Sequence, residues 1–372
     1  MNLSDLTLKE NPFRIGPPLN NSTIIWAGFP DLKKKIDDRI KFAMRTSPSR
    51  IVINWGRYGS GKTHAANYYS KKRSVEISEE LKLQPAINIK LVLPRTSKDP
   101  VQSFLRSFLG QISLEKIKRD FTLLLEQFEA DEVTKIIESV SNDNVISEVF
   151  KKIISADSAD VFNSIEGYLF GDSTKGTLNS LSLPSGLKDD EQVVNFLSTY
   201  INCVTYEKRV YSSFILWLDE FEDIDSLNKI SQDRFTTFLR QLFDKTPNNF
   251  LLFLNFTPKT FYNVEDLSIT LGEALTTRAK LQIVFEPAKL DEAKDYIQEL
   301  LNNSCYRDLP AGFTPFTEEA VEYILKNIGI LSVRKINEVF SLILEMALLA
   351  ETGEITKTFV DASKDEIISW EG

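Results

Sequence analysis

The eight residues Gly56-Arg57-Tyr58-Gly59-Ser60-Gly61-Lys62-Thr63 follow an apolar run, Ile51-Val52-Ile53-Asn54-Trp55, and lead into a segment that reads as a helix from His64 to Ser70. They match G-x-x-x-x-G-K-[ST] in the strand-to-helix setting that gives the pattern its physical meaning. The glycines let the main chain turn so that several N–H groups point into one concavity, and a helix N-terminus adds positive potential there. Such a loop is built to hold phosphates. Lys62 is expected to reach the β- and γ-phosphates of a nucleotide, and Thr63 to place its hydroxyl on Mg²⁺. Gly56, Arg57, Tyr58, Gly59, Ser60, Gly61 and His64 complete the nucleotide-binding stretch. His64 is expected to lie on a helix surface or face the core rather than to act in catalysis.

A second constellation lies downstream. Phe214-Ile215-Leu216-Trp217-Leu218 is followed directly by Asp219-Glu220. Five apolar residues bounded by two acids describe a strand buried on both faces that delivers carboxylates at its C-terminal end. Ligands bind at that end of open parallel sheets. Asp219 is expected to hold Mg²⁺ through water, because this ion dehydrates reluctantly. Glu220 is the candidate to polarise the attacking water. An acidic strand terminus or a helix cap is the bland alternative for the pair, and Glu222, Asp223 and Asp225 read as a solvated loop. A third buried strand, Phe250-Leu251-Leu252-Phe253-Leu254, ends in Asn255-Phe256-Thr257-Pro258. Asn255 is the better candidate to orient a water there and Thr257 the second; a polar strand terminus opening a turn is the alternative.

Around these strands the pattern is mostly helical. Residues 1–50 hold Asn11-Pro12-Phe13, a Pro17-Pro18 turn and Trp26-Ala27-Gly28-Phe29-Pro30. Apolar Leu32, Ile36, Ile40 and Ala43 then recur at a helical period from Asp31 to Thr46. This lead-in either packs structurally or sets Trp26 beside an adenine ring. Lys71-Lys72-Arg73 reads as a solvated helix end. Ala86 to Leu93 is a further strand, and Asp99 opens a helix with Val101, Phe104, Leu105 and Phe108 on one side. Residues of about 111–200 form a helical insertion longer than a crossover needs, with Gly171 to Gly186 read as a loop. After a last strand, Leu281 to Phe285, come helices at Asp291 to Asn303, Thr317 to Asn327, Ser332 to Glu351 and Val360 to Trp370. The expected division is 1–288 for an α/β nucleotide-binding domain and 289–372 for an all-α domain.

Composition bounds the function. The chain has 372 residues, 42% apolar, and carries a net charge of −9, so its surface as a whole is not a nucleic-acid footprint. Two cysteines far apart and a single histidine argue against a disulfide scaffold, a zinc site or a multi-histidine metal centre. No signal-peptide pattern or long apolar run is present, so the expected location is cytoplasmic with no membrane partner.

The order of parts resembles the AAA+ ATPases. Within them it is similar to the branch of Orc1/Cdc6-like initiators, transposition regulators and signalling NTPases. Walker A at 56–63 and the Asp219-Glu220 pair carry the resemblance, supported by Asn11-Pro12-Phe13, Trp26-Ala27-Gly28, Phe316-Thr317-Glu318-Glu319-Ala320 and Val333-Arg334-Lys335-Ile336. The resemblance implies a three-layer α/β/α P-loop NTPase fold with a parallel five-stranded sheet in 5-1-4-3-2 order and a C-terminal helical lid. It makes Asn255 the sensor 1 residue, Arg334 the sensor 2 arginine and Arg278 an arginine finger reaching a neighbour's nucleotide. For Arg334 the alternative is a cap or pair within the lid, and for Arg278 a sheet-edge salt bridge. It implies ATP and Mg²⁺ as cofactors, hydrolysis by in-line attack of water, and assembly into a homo-oligomer, ring or filament. The helical insertion departs from the branch. The chain is expected to end too soon after the lid for an appended DNA-reading domain. Three uses of the nucleotide remain open: a switch controlling an effector protein, as in a bacterial defence or signalling system; a regulator loaded on nucleic acid; and a non-catalytic nucleotide-binding scaffold.

Overall fold

The computed structural model describes residues 1–16, 24–93, 98–141, 143–183, 186–187, 189–258 and 267–367. The Pro17-Pro18 turn and the end of the last expected helix at Trp370 lie outside them. Five apolar segments form one sheet: β1 (Arg50–Gly56), β2 (Ala86–Val92), β3 (Ser213–Asp219), β4 (Phe250–Phe256) and β5 (Leu281–Phe285). Their spatial order is β2-β3-β4-β1-β5, the expected 5-1-4-3-2 read from the other edge. The pairings of β1 with β4, β2 with β3 and β3 with β4 are parallel. Every residue of β3 and β4 is buried, which is why these strands read as unbroken apolar runs.

Side chains alternate between the two faces of the sheet. One face carries Ile89 and Leu91, Phe214, Leu216 and Leu218, Phe250, Leu252 and Leu254, Ile51 and Ile53, all in a single apolar cluster. The register puts Trp217 beside Phe253 on the opposite face, with their rings stacked at 3.8 Å. Two residues further along their strands, on that same face, lie Asp219 and Asn255, and Asn54 pairs with Asn255 across β1 and β4.

The chain divides into two compact units. One comprises Asp37–Trp55 and Arg73–Ile283 and holds most of the sheet. Between β2 and β3 run α4 (Pro100–Gln111), α5 (Leu114–Leu125), α6 (Ala130–Ser141), α7 (Asn144–Ser155), α8 (Ala159–Leu169), α9 (Lys175–Leu181) and α10 (Asp190–Val204). The expected helical insertion is therefore a set of helices, and its apolar residues join the same cluster as the sheet face. Helix α10 is buried on nearly all sides, including Val193, Phe196, Tyr200 and Val204. Asp120 of α5, only 2% exposed, accepts from Tyr200 Oη at 2.5 Å, Tyr211 Oη at 2.6 Å and Lys116 Nζ at 2.9 Å. Helices α11 (Lys229–Lys245) and α12 (Leu267–Thr276) complete this unit.

Two local expectations are corrected. The Gly171 to Gly186 stretch contains α9, capped by the Thr174 hydroxyl, which accepts from Thr177 N–H at 3.1 Å, and anchored by buried Leu181. A cap and an apolar anchor outweigh a Ser- and Gly-rich composition there. Lys71 and Lys72 are exposed as expected, but the stretch is not a helix end and Arg73 is not solvated. Helix α2 (Lys62–Tyr68) runs through a π-helical segment, Tyr69–Arg73, into α3 (Ser74–Leu81), and the Arg73 side chain is 11% exposed. Its guanidinium pairs with Asp37 at 2.7 Å, Glu76 at 3.1 Å and Glu80 at 2.6 Å. Although burial opposes its charge, these carboxylates raise the Arg73 pKa above the usual arginine value.

The other unit comprises Met1–Ile36, Gly56–Lys72 and Val284–Gly372. Its helices α13 (Leu290–Leu301), α14 (Glu318–Asn327), α15 (Val333–Leu349) and α16 (Lys357–Ser363) close on an apolar cluster that includes Leu6, Leu8, Phe13 and Ile25 of the lead-in. Phe13 packs its ring 5.2 Å from Phe340 and 6.0 Å from Phe316. Thr317 and Ser332 cap α14 and α15 through their hydroxyls. The remaining long helix, α1 (Pro30–Arg45), contributes residues to both units, with Ile36, Ile40 and Met44 fully buried.

Candidate active site

Strand β1 ends at Gly56 and α2 begins at Lys62, with the P-loop between them. The loop turns through Ser60 N–H donating to Arg57 O at 3.2 Å. Gly59 and Gly61 have φ of +78° and +97°, a region that side-chain-bearing residues rarely occupy. A Cβ on Gly59 would lie 2.7 Å from Arg334 Cβ, so only glycine lets that residue approach. Lys62 is buried, and its ammonium donates to Gly56 O at 2.7 Å and Arg57 O at 3.1 Å. The loop thus curls around its own lysine, while Arg57, Tyr58 and Thr63 are exposed. Open space lies around the Cα of Gly61. This arrangement suits a phosphate chain, which can take over the ammonium from the two carbonyls.

Arg334, on the first turn of α15, meets this loop three ways. Its N–H donates to Gly59 O at 3.1 Å, its guanidinium donates to the Tyr58 hydroxyl, and its guanidinium carbon lies 4.6 Å from the Tyr58 ring centroid. The helix opening therefore sits on the P-loop, and the described partners of the Arg334 side chain are not lid residues. The His64 ring donates from Nε2 to Ile25 O at 2.8 Å and stacks on Tyr68. Trp26 packs against Tyr68 and Tyr69 of the same turn at 5.5 and 5.9 Å and donates to Gly28 O. The lead-in is thereby tied to α2.

In the sheet unit, Asp219 ends β3 and is 2% exposed. Its Oδ1 accepts from Asn255 Nδ2 at 2.9 Å, and Oδ2 lies 3.6 Å from Lys90 Nζ. Asn255 Oδ1 in turn accepts from Asn54 Nδ2 at 2.8 Å. A polar file thus crosses four strands, Lys90 on β2, Asp219 on β3, Asn255 on β4 and Asn54 on β1. Glu220 has φ of +53°, a left-handed conformation for a non-glycine residue, and leads the chain into a 3-10 helix, Phe221–Ser226. Holding a glutamate there costs about 1–3 kcal/mol, a cost that clusters at functional positions. The solvated loop expected at 222–225 is this 3-10 helix, and Glu222 is half-buried with Oε2 accepting from Thr257 N–H at 3.1 Å. Thr257 is engaged through its backbone at that point.

Arg278 forms a bidentate pair with Asp244 of α11, Nε to Oδ1 at 2.6 Å and Nη2 to Oδ2 at 2.8 Å, and donates to Ala274 O. Within this chain it is an ion-pair residue, with 31% of its side chain exposed. Sequence reasoning missed Asn54, Lys90 and the Tyr58–Arg334 contact. Asn54 and Lys90 were visible as lone polar residues inside apolar strands, but only the strand order shows that they flank Asp219 and Asn255. Among the described residues, no group of three or more His, Cys, Asp or Glu could hold a metal ion by itself. Both cysteines are free.

No family model and no curated protein matches the sequence. Among solved structures, the Aeropyrum pernix ORC2 protein, in ADPNP–ADP complexes, is similar at a TM-score of 0.52 and 13% identity, covering 97% of this chain and 72% of that one. The Aeropyrum pernix ORC1 protein in complex with DNA is similar at a TM-score of 0.50 and 11% identity, covering 97% and 70%. At these identities the likeness speaks for the fold. With the sheet order, the P-loop after β1, the acid-ended β3 and the helices after β5, this chain has the fold of the AAA+ P-loop ATPases on the Orc1/Cdc6-like pattern.

Proposed function

We propose that the chain binds and hydrolyses Mg-ATP, and that the bound nucleotide controls its assembly and its engagement of a partner protein. The observation that carries this reading is the P-loop. Lys62 rests on two main-chain carbonyls that a phosphate chain can replace, and the lid arginine Arg334 is anchored on the same eight residues. Lys62 and the loop amides take up phosphate charge, and Arg334 reports nucleotide to the lid helices. Thr63 and Asp219 would hold Mg²⁺, which would supply positive charge to a phosphoryl group in transfer. Glu220 orients the attacking water together with Asn255. Phosphoryl transfer asks for positioning and charge neutralisation more than for covalent help, which is what this residue set offers. Trp26, packed on α2, is the aromatic candidate beside the base. No helix among the described residues is long and apolar enough to cross a membrane.

Two variants test the assignment. Lys62→Ala is expected to abolish nucleotide binding, measured with a fluorescent ATP analogue. Glu220→Gln is expected to keep ATP bound while turnover falls about 100-fold or more, on the scale of lost general-base assistance. Equal turnover in wild type and Glu220→Gln would remove Glu220 from the mechanism.

A second reading, a regulator loaded on nucleic acid, draws on the likeness to a structure of an initiator bound to DNA. The net charge of −9 weighs against it. ATPase stimulation by duplex DNA that falls steeply with salt would favour it over the partner-protein reading.

A further inference from the structure

The file Asp219–Asn255–Asn54 has a direction. A carboxylate has no proton to give, so Asp219 can only accept, and Asn255 must turn its nitrogen towards it. The Asn255 oxygen then faces Asn54, which must answer with its own nitrogen. The last group in the file, Asn54 Oδ1, is left buried without a hydrogen-bond partner among the described residues. Asn54 and Asn255 are both 0% exposed, so bulk solvent does not reach that oxygen. A position kept only for packing in a strand of Ile51, Val52 and Ile53 would shed such a cost by being apolar. What Asn54 adds is a donor to the Asn255 oxygen, a second contact that opposes turning of the amide.

We propose that Asn54 is a positioning residue of the hydrolytic site, fixing the Asn255 side chain so that its nitrogen, not its oxygen, faces Asp219. Without Asn54 the Asn255 amide would lose a donor to its oxygen. A turned amide would set a carbonyl against the Asp219 carboxylate and withdraw a donor from the acid that the ATPase reading gives to Mg²⁺. The role rests on that reading, but the directed file does not.

The test therefore has two arms. In the first, Asn54→Leu, close in volume and without a donor, is expected to fold and to keep its ATP KM within about two-fold, while kcat falls about ten-fold or more, the signature of a lost transition-state contribution. A kcat within about two-fold of wild type would overturn the positioning role. In the second arm no turnover is needed. Asn54→Asp places an acceptor at both ends of Asn255 and is expected to lower the melting temperature. Adding Asp219→Asn lets the whole file reverse its direction, so the double variant is expected to melt higher than Asn54→Asp alone, while staying inactive. A double variant no more stable than Asn54→Asp would show that the file is not directed and would sink the proposal. A wild-type chain without turnover would overturn the ATPase reading and with it the positioning role, whereas the second arm would still report the direction of the file.

Discussion

Tyr58 is the side chain through which the P-loop meets Arg334 at the opening of α15. Tyr58 is 71% exposed, yet its ring and hydroxyl both engage the Arg334 guanidinium. A cation over an exposed aromatic ring is worth about 0.5–1 kcal/mol. If Arg334 serves the γ-phosphate, that interaction must be surrendered when ATP binds. The helix opening would stay in place, because Arg334 N–H to Gly59 O is a main-chain contact. Tyr58→Ala is therefore expected to tighten ATP binding about two- to five-fold, the same energy expressed as affinity. ADP binding is expected to be unchanged, since it lacks the group that Arg334 would meet. Titration with both nucleotides decides it, and a weakened ATP affinity in Tyr58→Ala would mean that the tyrosine presents the arginine rather than holding it back.

At the scale of elements, the insertion between α4 and β3 is tied to the sheet by shared apolar packing and by the buried Asp120 knot. Burial, then the adjacent Asp120 charge and hydrogen bond, push the Tyr200 hydroxyl well above its ordinary pKa, so it stays a donor over the accessible pH range. Removing the acceptor strands two phenols and Lys116. Because Lys116 is about a third exposed, the loss lies at the low end of a broken buried pair, about 3 kcal/mol for Asp120→Ala. Urea unfolding would read this as a lowered midpoint, and a loss below about 1 kcal/mol would show that the knot is dispensable. These elements differ in how far the sequence discloses them. The strands β1, β3 and β4 are legible because a doubly buried strand must be apolar along its length, and α4, α14 and α15 because their apolar faces and N-caps agree. Helix α9 is hidden by its Ser and Gly content, since what fixes it is Thr174 and the burial of Leu181, a tertiary fact. The file Lys90–Asp219–Asn255–Asn54 is hidden for a deeper reason. Its members are up to 201 residues apart in the chain, and only the order β2-β3-β4-β1 makes them neighbours.

For the whole molecule, the question is whether one chain suffices. Arg278, the candidate finger, is held by Asp244 in a bidentate pair on a partly exposed surface. Such a pair is worth about 0.2–1 kcal/mol, whereas an arginine delivered to a neighbour's nucleotide can be worth about 10³–10⁵ in rate. The internal pair is thus weak enough to be exchanged when chains assemble, and it would keep the arginine folded back when they do not. Turnover per chain is then expected to rise with protein concentration, in step with a shift in light-scattering mass that requires ATP. Arg278→Ala should assemble yet lose about 100-fold or more of that turnover, while its residual rate should match dilute wild type. Asp244→Asn should do the opposite, reaching the assembled rate at lower concentration because the finger is no longer held. Turnover that is independent of concentration, with a monomeric mass throughout, would confine Arg278 to its pair with Asp244 and leave hydrolysis to residues of one chain.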